Sequence, residues 1–149
     1  MALTKRILHL TTVHNRYDTR IFYNMCQSLS SSFHVSLYVL DCKGNERVDN
    51  ISIKSMGVAH TKLQRLIMSF LYVPFKLLFT NFDLYHLHDP ELYFCGIILK
   101  ICKKNVVIDV HENYVEDLKN KNWIPPPFRE IIVTLYKKVS TLSFNFSNA

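Results

Sequence analysis

Only three glycines occur among the 149 residues. That scarcity excludes collagen-like and flexible-linker composition, and it narrows the phosphate-binding loops the chain could build. None of the four cysteines (Cys26, Cys42, Cys95 and Cys102) pairs with another as CxxC. They sit in or beside apolar segments and read as buried free thiols of a reducing cytoplasm. The opening MALTKRILHLTT has too short an apolar run for a signal peptide and no small-residue cleavage site. No long lysine run and no recognised RNA- or DNA-binding signature accompanies the net charge of +6, so nucleic acid is not an expected partner. Internal repeats and low-complexity tracts are also missing.

What is present fits a globular chain. Hydrophobic residues make up 48% and charged residues 20%, and the length suits one domain with a proper core. The basic balance makes anionic lipid and phosphorylated small molecules eligible partners.

Five apolar runs read as strands: 6–12, 34–40, 51–56, 84–88 and 105–110. The third is shorter than the two before it and reads as an edge. KGNERVDN, between the second and third, is turn material. Helices are expected over 20–31, 61–80, 90–103 and 128–139, with WIPPPF breaking the chain at 123–128. Strands alternating with helices predict an α/β fold, a Rossmann-like doubly wound parallel sheet with helices on both faces. In the commonest order the first strand lies beside the fourth and the fourth beside the fifth. Ligands then bind at the carboxyl ends of the strands, near the switch point.

Ionisable groups gather at those ends. The first strand ends in Thr11-Thr12-Val13-His14, the fourth in His86-Leu87-His88-Asp89, the fifth in Asp109-Val110-His111-Glu112. Asp89, Pro90 and Glu91 suit an N-cap, a first helical position and an acidic first turn. His86 reads as a half-buried histidine satisfied by a backbone carbonyl. His88 and His111, at strand tips, read as functional, and His111 suits a general base or a hydrogen-bond donor to a substrate oxygen. His-x-His-Asp also suggests a metal site, but Pro90-Glu91 occupies the places where a dinuclear hydrolase has x-Asp-His, so no metal is expected. A small metal-dependent hydrolase built on His86, His88 and His111 is the rival enzyme reading.

The loop HNRYDTR, 14–20, has no glycine where a dinucleotide fold has GxGxxG, which disfavours an NAD-type site. It offers His14, Asn15, Arg16, Asp18 and Arg20 instead. Arg clamps phosphate or carboxylate through two parallel bonds, and Asp18 doubles as the N-cap of the first helix. In 61–82, Lys62, Arg65, Ser69, Tyr72, Lys76 and Thr80 form one polar stripe on an otherwise apolar helix. The segment is too short to span a bilayer, and Pro74 is placed to kink it. It reads as packed on the sheet or as resting on an anionic membrane surface.

ILHLTTVHNRYDTRIFYNMCQSL, YHLHDPEL and VVIDVHENYVED, in that order, resemble the N-terminal domain of GT-B glycosyltransferases, family 4-like, over roughly 5–139. The resemblance implies one half of a two-domain GT-B fold, residues 1–149 being the acceptor-side domain. It implies a retaining transferase of bacterial O-antigen, capsule or exopolysaccharide synthesis, acting at the inner membrane face on a lipid-linked glycan. No metal or cofactor is implied, and a nucleotide-sugar donor would be held by the other domain. Carried onto this chain, His111 is the catalytic candidate. His14, Asp18, Arg20, His88, Asp89, Glu91 and Glu112 would line the acceptor cleft. The sequence stops at Ala149 without the paired-glutamate motif of the donor side. The polypeptide is therefore expected to be a truncated product or one half of a split enzyme, inactive without its complement.

Overall fold

The computed structural model describes residues 5–109 and, further on, Glu130, Val133, Thr134, Lys137, Lys138 and Thr141. The end of the fifth expected strand from residue 110 on, with His111 and Glu112, lies outside the described residues, as does most of the expected 128–139 helix.

The strands are β1 (Arg6–Thr11), β2 (His34–Val39), β3 (Glu46–Val48), β4 (Ile51–Ser55), β5 (Leu84–Leu87) and β6 (Val106–Ile108). They form one sheet in the order β3-β4-β2-β1-β5-β6. Every pairing is parallel except β3 with β4. The first expected strand thus lies beside the fourth and the fourth beside the fifth, as the doubly wound order requires. KGNERVDN is not only a turn. It folds back as β3, so the edge belongs to β3 and not to the third expected strand. Of Glu46, Arg47 and Val48 only the valine favours a strand, and the pairing comes from the hairpin with β4, turned at Asp49 with φ 51°.

Helices cover both faces. Helix α1 runs as a wide π-helical stretch, Thr19–Cys26, into α-helical Gln27–Ser30. It presses Ile21, Phe22 and Cys26 onto Val35, Leu37, Val39, Ile51 and Ile53. On the other face lie α2 and α3. Helix α2 comprises Lys62–Ile67, a π-helical Met68–Tyr72 and Val73–Leu78. The Val73 N–H bonds Met68 O, a five-residue step just before Pro74, so a widened turn absorbs the proline. A single 3-10 turn, Pro90–Leu92, leads into α3, Tyr93–Ile101. Val73, Leu77, Leu92, Cys95 and Leu99 pack there on Leu8, Leu10, Tyr85, Leu87 and Val106. Gly96 brings α3 close to the sheet, since a Cβ there would stand 2.7 Å from Ile108 Cδ1.

Two cysteines correct the sequence expectation. Cys26 and Cys95 are buried, and burial pushes both thiols up to about 12. Cys42, in the loop after β2, and Cys102, after α3, are exposed. All four are free thiols.

Helix α2 fits both readings offered for it. Ser69, Val73, Pro74 and Leu77 face inward. Leu63, Ile67, Leu71, Phe75 and Phe79 are each more than half exposed. No helix among the described residues is long and apolar enough to cross a membrane.

Candidate functional site at the carboxyl rim of the sheet

Strand order decides which side chains meet. β1 ends between β2 and β5, and β5 ends between β1 and β6, so the residues that follow β1, β5 and β6 share one rim. Asp89 is its most heavily bonded group. Its Oδ2 accepts from Thr11 Oγ1 at 2.8 Å, the Thr12 N–H at 2.5 Å and the Val13 N–H at 3.3 Å, with Thr12 Oγ1 3.2 Å away. Its Oδ1 lies 3.6 Å from His14 Nε2. The Asp89 side chain makes no capping bond to the turn that follows. The expected N-cap is therefore corrected: the carboxylate reaches across to β1 and fixes the start of the 14–20 loop.

Glu91 is equally engaged. Thr12 Oγ1 donates to its Oε1 at 2.6 Å and Ser69 Oγ at 3.2 Å, with Arg65 Nε 3.0 Å away. The polar stripe of α2 thus divides. Arg65 and Ser69 turn toward the rim, while Lys76 Nζ donates outward to Tyr72 Oη at 2.9 Å.

Asp18 is an N-cap, as its sequence position predicts. Its Oδ1 accepts the N–H groups of Arg20 and Ile21, each at 3.0 Å. Burial alone would raise its pKa. The Ile21 and Arg20 N–H bonds, with His14 and the Arg20 charge, outweigh it and hold the carboxyl below its ordinary value. His14 Nδ1 lies 3.3 Å from Asp18 Oδ2, with its side chain partly open to solvent. Arg20 Nη1 reaches Asp109 Oδ2 at 3.5 Å. His14, Asp18, Arg20, His88, Asp89 and Asp109 are therefore brought together, and Glu91 joins them through Thr12.

The histidines depart furthest from expectation. Among the described residues, no backbone carbonyl receives His86. Its Nε2 lies 3.9 Å from Asp109 Oδ2, and its ring lies beside those of His88 and His9. His88 is buried, with Nε2 2.9 Å from His9 Nδ1. Its Nδ1 lies 3.4 Å from Asp109 Oδ2, close enough for attraction but not aligned as a hydrogen bond. Burial, reinforced by His86, lowers His9 to about 3. Burial and the neighbouring histidines lower His88 to about 2. Both rings are neutral at neutral pH. His86 is lowered too, by burial, against the pull of Asp109.

His9 and the Arg65–Ser69 pair escaped the sequence reading. The available signal for His9 was a lone histidine inside RILHLT, in the strand expected beside the one that holds His86. Nothing local marks Arg65 and Ser69 as partners of Glu91, because a helix stripe does not say what it faces.

A scan against protein-family models and a search of curated proteins return no match to this chain. Fold and site together define an α/β chain of Rossmann-like arrangement, with a six-stranded, mostly parallel sheet and a polar rim at its carboxyl end.

Proposed function

We propose that the chain is the acceptor-binding half of a retaining, GT-B-type glycosyltransferase that moves a sugar from a nucleotide-sugar donor to a lipid-linked glycan of the bacterial surface. One observation carries the reading. His14, Asp18, Arg20, His88, Asp89 and Asp109 converge at the carboxyl ends of β1, β5 and β6, where open α/β sheets bind ligands. Of these, His14, Arg20 and Asp18 remain the most exposed, and His14 and Arg20 are the donors able to meet a sugar hydroxyl or a phosphate. Asp89 and Glu91 shape the loop that presents them. His111 carries the catalytic role in this reading and Glu112 a binding role. Donor-binding groups come from a second domain or a complementary chain.

The apolar face of α2, flanked by Lys62 and Lys76, serves in this reading as the contact with the inner membrane surface, where the lipid-linked acceptor resides. That same face favours a second reading, a peripheral membrane module without catalysis. The test is reconstitution with a donor-binding domain, a polyprenyl-linked glycan and a nucleotide sugar. Transfer that falls at least tenfold in Arg20→Ala and is lost in His111→Ala supports the first reading. Absence of both acceptor binding and transfer, with vesicle binding intact, leaves the second.

A further inference from the structure

His9 and His86 are register partners on adjacent strands, and His88 follows His86 by two residues, so all three project from one side of the sheet. Their ring centroids lie 4.3–5.2 Å apart. One nitrogen from each lies within 4.8 Å of the others. Among the described residues, the His9–His88 bond is the cluster's one internal hydrogen bond. It leaves His9 Nε2 and His88 Nδ1 buried without a hydrogen-bond partner.

We propose that His9, His86 and His88 form a binding site for one divalent transition-metal ion. Imidazole nitrogens suit Zn²⁺, Co²⁺, Ni²⁺ or Cu²⁺, whereas Mg²⁺ and Ca²⁺ require oxygen-rich sites. The His9 Nδ1 and His88 Nε2 separation of 2.9 Å subtends about 90° at an ion held by bonds of roughly 2.1 Å. That is the angle of an octahedral or square set. A tetrahedral zinc site would need the two nitrogens to part to about 3.4 Å. With Nε2 given to the ion, the proton of His88 sits on Nδ1, which faces Asp109 Oδ2 at 3.4 Å. A carboxylate behind a ligating histidine is the arrangement that fixes its tautomer and orientation. Three protein ligands leave coordination positions open. The site stands independently of the transferase reading.

The test uses the full chain, stripped with chelator, dialysed, and titrated calorimetrically with Co²⁺, Ni²⁺ and Zn²⁺ in turn. The expected result is one equivalent bound at micromolar affinity or tighter, with a Co²⁺ absorption spectrum of nitrogen ligation. His86→Ala should weaken binding at least tenfold. His86→Gln serves the same purpose should the alanine variant lose its far-UV circular dichroism. His34→Ala and His60→Ala alter exposed histidines outside the cluster and should leave binding unchanged. Absence of saturable binding near one equivalent overturns the proposal. So does binding that survives either His86 substitution in folded protein.

Discussion

Two buried polar clusters flank the loop after β1, and they follow opposite rules. Arg16 is 3% exposed, and its guanidinium is bonded on every side. Its Nε and Nη2 meet the two oxygens of Asp41 at 2.7 and 2.6 Å, Nη2 also meets Gly44 O at 3.0 Å, and Nη1 pairs with Glu46. The histidine cluster is nearly as deep but, among the described residues, keeps one hydrogen bond among three rings. A satisfied network fixes the chain, and here it ties the β3 hairpin to the 14–20 loop. An unsatisfied one is costly by itself and retains capacity for a ligand. Depth alone therefore does not distinguish scaffold from site. The count of unmet donors and acceptors does.

The contrast breaks first at Arg16. Arg16→Met should cost roughly 3–4 kcal/mol, the scale for removing one partner of a buried ion pair, moderated because Asp41 and Glu46 are partly hydrated. Urea unfolding measures it, and a cost below about 1 kcal/mol would remove the clamp from the scaffold.

Acid separates the regions next. His9 and His88 are lowered by burial, so between about pH 3 and 6.5 the unfolded chain binds protons that the folded chain does not. Their contribution is whole above pH 6.5 and drains as pH falls below it. In chelator-treated protein the two together should lose about 2–3 kcal/mol by pH 5.5. Asp41 is held low chiefly by its Arg16 hydrogen bonds, so the clamp weakens only in a more acid window, below the ordinary carboxylate range. Urea midpoints at pH 8, 6.5 and 5.5 check this. A flat profile would mean that the histidines titrate freely in the folded state.

Legibility in the sequence followed the range of each interaction. The five parallel strands and their order were readable, because alternation of apolar strands and helices leaves few topologies. The β3 hairpin was not, because its pairing depends on β4 rather than on its own residues. Asp18 was readable as a cap, being a contact across two and three residues. Asp89 was misread by the same logic, since its partners lie 76–78 positions away. Substitution separates capping from bridging. Serine caps a helix as well as aspartate but is too short to reach β1. Asp89→Ser should therefore cost about 2 kcal/mol, the scale of lost hydrogen bonds to a charged group. A neutral outcome in thermal unfolding would restore the cap.

The smallest expected effect is the sharpest test of the contrast. His9→Leu replaces a fully buried ring by an apolar side chain of similar volume. It breaks the 2.9 Å bond to His88 and leaves the buried His88 Nε2 orphaned, a cost of about 1–3 kcal/mol. It also removes an orphaned buried nitrogen, His9 Nε2, whose burial costs about 1–3 kcal/mol. The two terms oppose, so metal-free stability should move by less than about 1 kcal/mol, against several for Arg16→Met. Metal binding should vanish with it, because the set falls to two imidazoles. Were His9→Leu instead to unfold the chain as readily as Arg16→Met does, the histidine cluster would belong to the scaffold, and the distinction between satisfied and unsatisfied networks would fail in this protein.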